Sequence, residues 1–337
     1  MAILERLHDN QSLFLPEIAQ RPQGRYVHYV MIRETESFPV FQTDGTLNVI
    51  PTQAGTVNGA SAERFSRLVL FKRKQTSPER LTGRELLRLH NIITDDGCAY
   101  NSENFCKRCP DCIHYGYAIG DAGAEKSKVY VDSAFSITRY EDSHKSFHFN
   151  ALWEHGTMTD RGVTRASFGE QDHIVPQVFF PAVVTLRDPT FEGFLYVLGN
   201  LLRTSRYGAQ ETRTGRVENH LVGITFTSGE VFSNLRFAQE MYQRLHDAGE
   251  MEHLPLERGA VLATAAEAAL ALLDQEPVTQ YQTFLGEELV TLLDEVLALY
   301  QDDAKTRGLL QALDAKTRAY ASLHGANNKK QAGAAKE

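Results

Sequence analysis

Val178-Phe179-Phe180-Pro181-Ala182-Val183-Val184-Thr185-Leu186-Arg187 reads as a strand, and it runs straight into Asp188-Pro189-Thr190. Asp188 can cap a following helix, and Pro189 suits a helical first turn because its missing N–H has no partner there. Phe191, Phe194, Leu195, Leu198, Leu201 and Leu202 then recur at helical spacing. A strand feeding an amphipathic helix is half of an α+β unit. Residues 25–33, Arg25-Tyr26-Val27-His28-Tyr29-Val30-Met31-Ile32-Arg33, supply a second strand rich in β-branched and aromatic side chains.

Other segments extend this pattern in both directions. Residues 67–72 form another expected strand, and Thr43-Asp44-Gly45 a turn. Thr82-Gly83-Arg84-Glu85 has capping-box spacing and predicts a helix over 82–93. On it Leu86, Leu89, His90 and Ile93 share one face, while Arg84 and Arg88 stack on the other. Residues 128–131, 135–138 and 146–149 are strand-like, and the polar stretch from 140 to 167, broken by Gly156, Asp160 and Gly162, predicts a projecting hairpin. A basic loop runs from Arg206-Tyr207-Gly208 to Gly215-Arg216, followed by a strand over 217–226. Helices are expected at 258–274 and 284–300, and the small, polar residues 325–337 are expected to be disordered.

Length and composition exclude several classes. At 337 residues, 42% hydrophobic and 23% charged, the chain can bury a core without disulfides. The apolar run at 178–184 falls far short of the roughly 18 residues a membrane span needs. The start of the chain meets Glu5 and Arg6 too early for a signal peptide, so a cytoplasmic protein is expected. The net charge of −8 is unevenly spread. Residues 240–337 hold 16 acids and 9 bases, which leaves 27 acids and 26 bases in the first 239. Residues 63–90 carry Arg64, Arg67, Lys72, Arg73, Lys74, Arg80, Arg84 and Arg88 against three acids, and residues 203–216 carry Arg203, Arg206, Arg213 and Arg216 against Glu211. Such knots are either solvated surface or a footprint for a polyanion.

All four cysteines, Cys98, Cys106, Cys109 and Cys112, fall within fifteen residues. Four thiolates at this spacing suit a closed, structural zinc site; part of an iron–sulfur ligand run and two disulfides are the alternatives. Phosphate-binding GxxxxGK[ST] loops, GxSxG elbows and HExxH helices are missing. His144, His148, His155 and His173 lie in strand-like or loop sequence and read as ordinary hairpin histidines, and His246-Asp247 as a chance pair.

The order of these features is similar to one family. A strand, the basic Leu81-Thr82-Gly83-Arg84-Glu85-Leu86-Leu87-Arg88 helix start, a cysteine finger and Val129-Tyr130-Val131-Asp132 come first. A long hairpin then leads into Phe168-Gly169-Glu170, Val175-Pro176 with Phe179, Val183 with Leu186 and Asp188, and the loop from Arg206-Tyr207-Gly208-Ala209 to Gly215-Arg216-Val217. Over about 24–227 this series resembles the RAMP-superfamily backbone subunit of CRISPR effector complexes, most of all the large multi-copy Csc subunit of type I-D.

The resemblance implies a modified RRM, or ferredoxin-like, palm within residues 1–240. Its strands would lie near 24–33, 67–74, 178–187 and 217–227, and its helices at 82–93 and 190–204. It further implies a zinc finger at about 94–125, a thumb at about 140–168 and an acidic helical lobe at 241–324. Copies would line up on a guide RNA (crRNA), which would present itself for pairing with a target strand beside other type I-D subunits. Lys72, Arg73, Lys74, Arg84, Arg88, Arg206, Gly208, Arg213 and Arg216 would then face RNA phosphates. Trp153 and Met158 would wedge between nucleotides, a role that competes with plain hairpin packing. The palm lacks the aromatic pair of a base-reading RRM, which suits sequence-tolerant binding. No catalysis is expected, although some relatives cut RNA with a thumb aspartate, a place that Asp142 or Asp160 could fill.

Overall fold

The computed structural model describes every residue except 1, 11, 57–62, 95–96, 121–122, 151, 155, 165–167, 211–213 and 325–337. In chain order, α1 (Ile3–His8) precedes β1 (Tyr26–Thr35), β2 (Val49–Gln53), β3 (Arg64–Leu70) and α2 (Lys72–Leu89). The cysteine segment holds α3 (Pro110–Tyr115), β4 (Tyr117–Ala118) and β5 (Ala124–Glu125), and leads to β6 (Val129–Val131) and β7 (Ala134–Phe135). The hairpin comprises α4 (Tyr140–Ser143), β8 (His144–Asn150), β9 (Thr159–Asp160), β10 (Val163–Thr164) and β11 (Phe168–Ile174). Next come β12 (Phe179–Arg187), α5 (Phe191–Arg203) and β13 (Val217–Thr227). The last elements are α6 (Asn234–Asp247), α7 (Arg258–Leu273), β14 (Gln280–Phe284), α8 (Gly286–Gln301) and α9 (Asp303–His324).

Five strands form one antiparallel sheet in the order β14-β13-β1-β12-β6. Tyr29 at its centre faces Val184 on one side and Ile224 on the other. Helices α2, α5 and α8 pack on one face and α6 and α7 on the other. Because both faces are covered, β1 and β12 are buried almost throughout, which is why 178–187 reads as an unbroken apolar run and not as an alternating one. His28, inside β1, is held by the hydroxyls of Thr185 at 2.7 Å and Thr227 at 2.9 Å.

Several expectations need correcting. Helix α5 is capped by Thr190, whose Oγ1 accepts from the Gly193 N–H at 3.1 Å. Asp188 instead accepts from the backbone N–H groups of Gln23 and Arg25, tying the end of β12 to the start of β1. Helix α2 begins at Lys72, so the Thr82–Glu85 box lies inside it. What matters at that point is Gly83: a Cβ there would collide with Tyr196 and Asn200 of α5. The strand expected over 67–74 ends at Leu70 and belongs to a separate sheet, β2-β3-β7, while β6 takes the edge of the main sheet. The acidic region 241–324 does not stand apart as a lobe. Its β14 pairs with β13, α7 covers one face of the sheet, and α8 and α9 pack with α5 on the other. The expected disorder at 325–337 lies outside the described residues.

Candidate metal centre and nucleic-acid interface

The segment after α2 brings the four cysteines together. Cys98 Sγ lies 3.9 Å from Cys109 Sγ and 3.6 Å from Cys112 Sγ, and Cys106 Sγ lies 3.9 Å from Cys112 Sγ. All four sulfurs are within 4.8 Å of one another. One tetrahedral ion with sulfur ligands at about 2.3 Å separates those ligands by about 3.8 Å. A disulfide needs about 2.05 Å, and all four cysteines are free. The spacing leaves room for one atom among the sulfurs and is too tight for a four-iron cluster. The donor set therefore fits a single thiophilic cation, and with four ligands it leaves no open position for chemistry. The sulfurs also perturb one another. Contacts with Cys106, Cys109 and Cys112 hold the Cys98 thiol far below its ordinary value, and contacts with Cys109 and Cys112 lower Cys106 to about 7. The same crowding pushes Cys109 and Cys112 up. A cation among the sulfurs would offset the repulsion between neighbouring thiolates.

Much of the first basic knot turns inward. Arg84, expected at phosphates, is fully buried, with its guanidinium on Asp111 and Cys98. Arg80 is likewise held by Asp111 at 2.7 Å. Arg67 is buried between Phe65 and Tyr242 and donates to Thr52 and to the carbonyl of Ile137. Lys72 and Arg73 are exposed at the start of α2, and Lys74 and Arg88 are half-buried.

The second knot keeps its solvent face. Arg203, Arg206 and Arg216 are exposed, and Arg213 lies outside the described residues. Two glycines seat the loop against the segment after β1. Gly208 has φ of 92°, and a Cβ there would collide with the Val40 carbonyl. One on Gly215 would collide with Phe38 N, and Gly215 N donates to Phe38 O at 3.1 Å. Gly208 thus packs closely against the protein's own backbone, which its missing Cβ allows. Behind the loop, Tyr207 closes a buried network. Its hydroxyl donates to Glu79 Oε1 at 3.2 Å and accepts from Asn219 at 2.7 Å, and its ring lies under Arg33, which pairs with Glu79 at 2.7 Å. Burial raises the Glu79 pKa against the pull of Arg33.

In front of the loop is an open groove of about 710 Å3 lined by Glu36, Ser37, Phe38, Phe147, His173, Arg206, Thr214, Gly215 and Arg216. Phe38 and Phe147 meet edge to face at 5.1 Å, and Phe147 meets His173 at 5.3 Å. Exposed cations beside accessible rings can hold a phosphate backbone and stack bases. Arg216 also pairs with Glu36 at 3.4 Å, an ion pair that a phosphate would have to replace.

A model of the Csc2 CRISPR family matches residues 13–310. The chain belongs to the Csc2 CRISPR family. Among solved structures, the crystal structure of Thermofilum pendens Csc2 is similar over 90% of this chain and 91% of that one, at 15% identity and a TM-score of 0.48. A chain of a CRISPR RNA-guided surveillance complex is similar over 86% of this chain and 98% of that one, at 12% identity and a TM-score of 0.46. A search of the curated proteins finds no match. Family membership agrees with the CRISPR subunit expected from the order of motifs.

In this Csc2-family chain the hairpin is real and long, with β8 and β11 paired from His144 opposite Ile174 to Asn150 opposite Phe168. Trp153 and Met158 are only half-buried near its tip. More exposed apolar side chains were missed by the sequence reading: Phe149 at 54%, Leu152 at 53% and Val163 at 60%. The alternation Phe147-His148-Phe149 was a signal for Phe149 alone, because a hairpin strand that is exposed along most of its length leaves few places to bury both rings. Asp142 lies on α4 at the hairpin's base and Asp160 on β9 near its tip. Among the described residues, His144, His148 and His173 join no metal-type cluster, and His155 lies outside them. Glu34, Glu218 and His220 do come together, but Arg258 already holds the Glu34 carboxylate at 2.7 Å and 3.1 Å. Among the described residues, no helix is long and apolar enough to cross a membrane.

Proposed function

We propose that this chain is a non-catalytic, crRNA-binding backbone subunit of a type I-D CRISPR surveillance complex, with copies aligned along one guide RNA. The observation that carries the reading is the groove at the hairpin base, where Arg206 and Arg216 stand beside Phe38, Phe147 and His173. Family membership supplies the CRISPR context. An RRM-like palm is supported by the strand order β13-β1-β12-β6, with α2 between β1 and β6 and α5 between β12 and β13.

In this reading Arg206 and Arg216 take guide phosphates, and release of counterions makes affinity salt-dependent and tolerant of sequence. Phe147 and Phe38 offer ring faces or edges to bases, and the exposed Phe149, Leu152 and Val163 let the thumb hairpin part neighbouring nucleotides. The guide, by base pairing, selects the target strand. Cys98, Cys106, Cys109 and Cys112 hold structural zinc, which pins the finger and supplies no reaction. Other type I-D subunits would cap and flank the row of copies.

The test is purification from the native host followed by extraction of nucleic acid. A uniform RNA protected along several copies is the expected result; protein free of RNA would sink the proposal. Incubation with guide-matched RNA tests the non-catalytic part. Cleavage that disappears in Asp142→Ala or Asp160→Ala would replace it with a ribonuclease.

A further inference from the structure

The cysteine cage is wired into α2. Arg84 Nη1 lies 3.5 Å from Cys98 Sγ and 2.6 Å from Asp111 Oδ2, and its other terminal nitrogen donates to the Cys98 carbonyl. One turn earlier, Arg80 grips Asp111 through Nε at 2.7 Å and Nη2 at 3.0 Å, and reaches the Gly116 carbonyl at 2.6 Å. One more turn back, the Ser77 hydroxyl meets the Tyr100 hydroxyl at 2.9 Å. Residues 77, 80 and 84 share a helix face, so α2 presents a row of donors to the finger. Asp111 stands in the sequence between two of the sulfur ligands, Cys109 and Cys112, and is fully buried.

Charge explains why such a row is needed. Four thiolates around one divalent ion leave two negative charges, and Asp111 adds a third. A buried surplus of that size is costly unless paired and hydrogen-bonded. Arg80 and Arg84 return two positive charges. Only Arg84 also points an N–H at a sulfur, and that sulfur accepts a second N–H from the Cys106 backbone at 3.3 Å. Burial works against the Arg84 charge, yet Asp111 and the Cys98 sulfur more than offset it and raise its pKa.

We propose that Arg84, fixed by Asp111, is a positioning residue of the metal centre. It acts through Cys98 to raise affinity for a tetrahedral divalent cation, and it couples metal binding to the seating of the finger on α2. This inference rests on the reading of the four cysteines as a metal site. Beside this latch, Lys72 and Arg73 of α2 and Tyr100 of the finger line one pocket of about 240 Å3.

The test uses the full chain, stripped of metal and reloaded with Zn2+ or Co2+. Zn2+ affinity is read by competition with a chromogenic chelator, and the sulfur-to-cobalt charge-transfer band is recorded. Arg84→Met should lose about 10–100-fold in affinity, as loss of a hydrogen-bond partner behind a metal ligand does elsewhere. Its charge-transfer band should shift, and Cys98 should be alkylated faster than it is in the wild type. Arg84→Lys keeps the charge without the fork and should fall between, whereas Arg73→Met, exposed on the same helix, should match wild type. Should Arg84→Met fail to fold, Arg84→Lys carries the test on the same readings. Wild-type affinity and an unmoved band in the Arg84 variants would overturn the inference alone. A wild-type chain that takes up neither ion would overturn the metal reading and the inference together.

Discussion

Arg84 and Arg206 belong to the two basic knots of the chain, and the fold gives them opposite surroundings. Arg84 is fully buried on Asp111 and Cys98; Arg206 is exposed and lines an open groove. The first knot is the richer in cations, yet Arg67, Arg80 and Arg84 all face inward. The second is poorer and keeps Arg203, Arg206 and Arg216 in solvent. Counting charges along a sequence assumes that cations near one another share a surface. Here a buried carboxylate 27 residues downstream of Arg84 takes it out of the count. The finger region should therefore respond to substitution through stability and metal content, and the groove through RNA affinity and salt dependence.

The hardest test of that division is removal of a cage ligand. Cys112→Ser leaves three sulfurs for an ion that needs four, and structural sites of this kind supply on the order of 10 kcal/mol of binding free energy. The variant should lose stoichiometric metal and melt at a clearly lower temperature, measured by metal analysis and thermal unfolding. Wild-type metal content would break the assignment of the cage.

A smaller but still large effect is expected from Asp111→Asn. The amide keeps the shape of the side chain but strands Arg80 and Arg84 in the interior, a loss of about 3–5 kcal/mol for a broken buried pair. Denaturant unfolding measures it, and the protein that remains folded should bind RNA as before. A loss of RNA affinity without a loss of stability would return the first knot to the nucleic-acid interface.

How much of this contrast could be read in advance depended on how local its causes are. The β12–α5 unit was legible because an apolar run and a helical period both lie within one short window. The cage was legible for the same reason: its four ligands sit within fifteen residues. The start of α2 was misread because Thr82 and Glu85 have cap spacing, whereas packing against α5 at Gly83 carries the helix through that point. Strand β14 was invisible, since Gln280-Tyr281-Gln282-Thr283-Phe284 is short and polar and becomes a strand by pairing with the edge of β13. The groove was half legible. Arg206 and Arg216 announced themselves by charge, but Phe38, Phe147 and His173 arrive from two other segments that only the folded chain brings together.

Those rings sharpen the comparison from the other side. Phe147→Ala removes the ring between Phe38 and His173 at the floor of the groove. Stacking on one aromatic is worth about 1–3 kcal/mol per base, so RNA affinity should fall by up to two orders of magnitude while metal content holds. Titration of a labelled single-stranded RNA at fixed salt measures it. Unchanged affinity would move the bases away from this groove.

The subtlest prediction separates charge from shape. Arg206→Ala with Arg216→Ala removes two exposed cations from the groove without touching the core. Surface changes of this kind usually stay within about 0.5 kcal/mol of wild-type stability. For a single strand, each phosphate left without its cation should flatten the slope of log affinity against log salt by about 0.7, or about 1.4 for the pair. Removing Arg216 also frees Glu36, which leaves an acid in the groove and weakens binding further at low salt. Lys72→Ala with Arg73→Ala is the matched pair from the first knot, exposed but outside the groove. A slope that flattens in the second pair and not in the first would place the guide along α2 and reverse the contrast between the two knots.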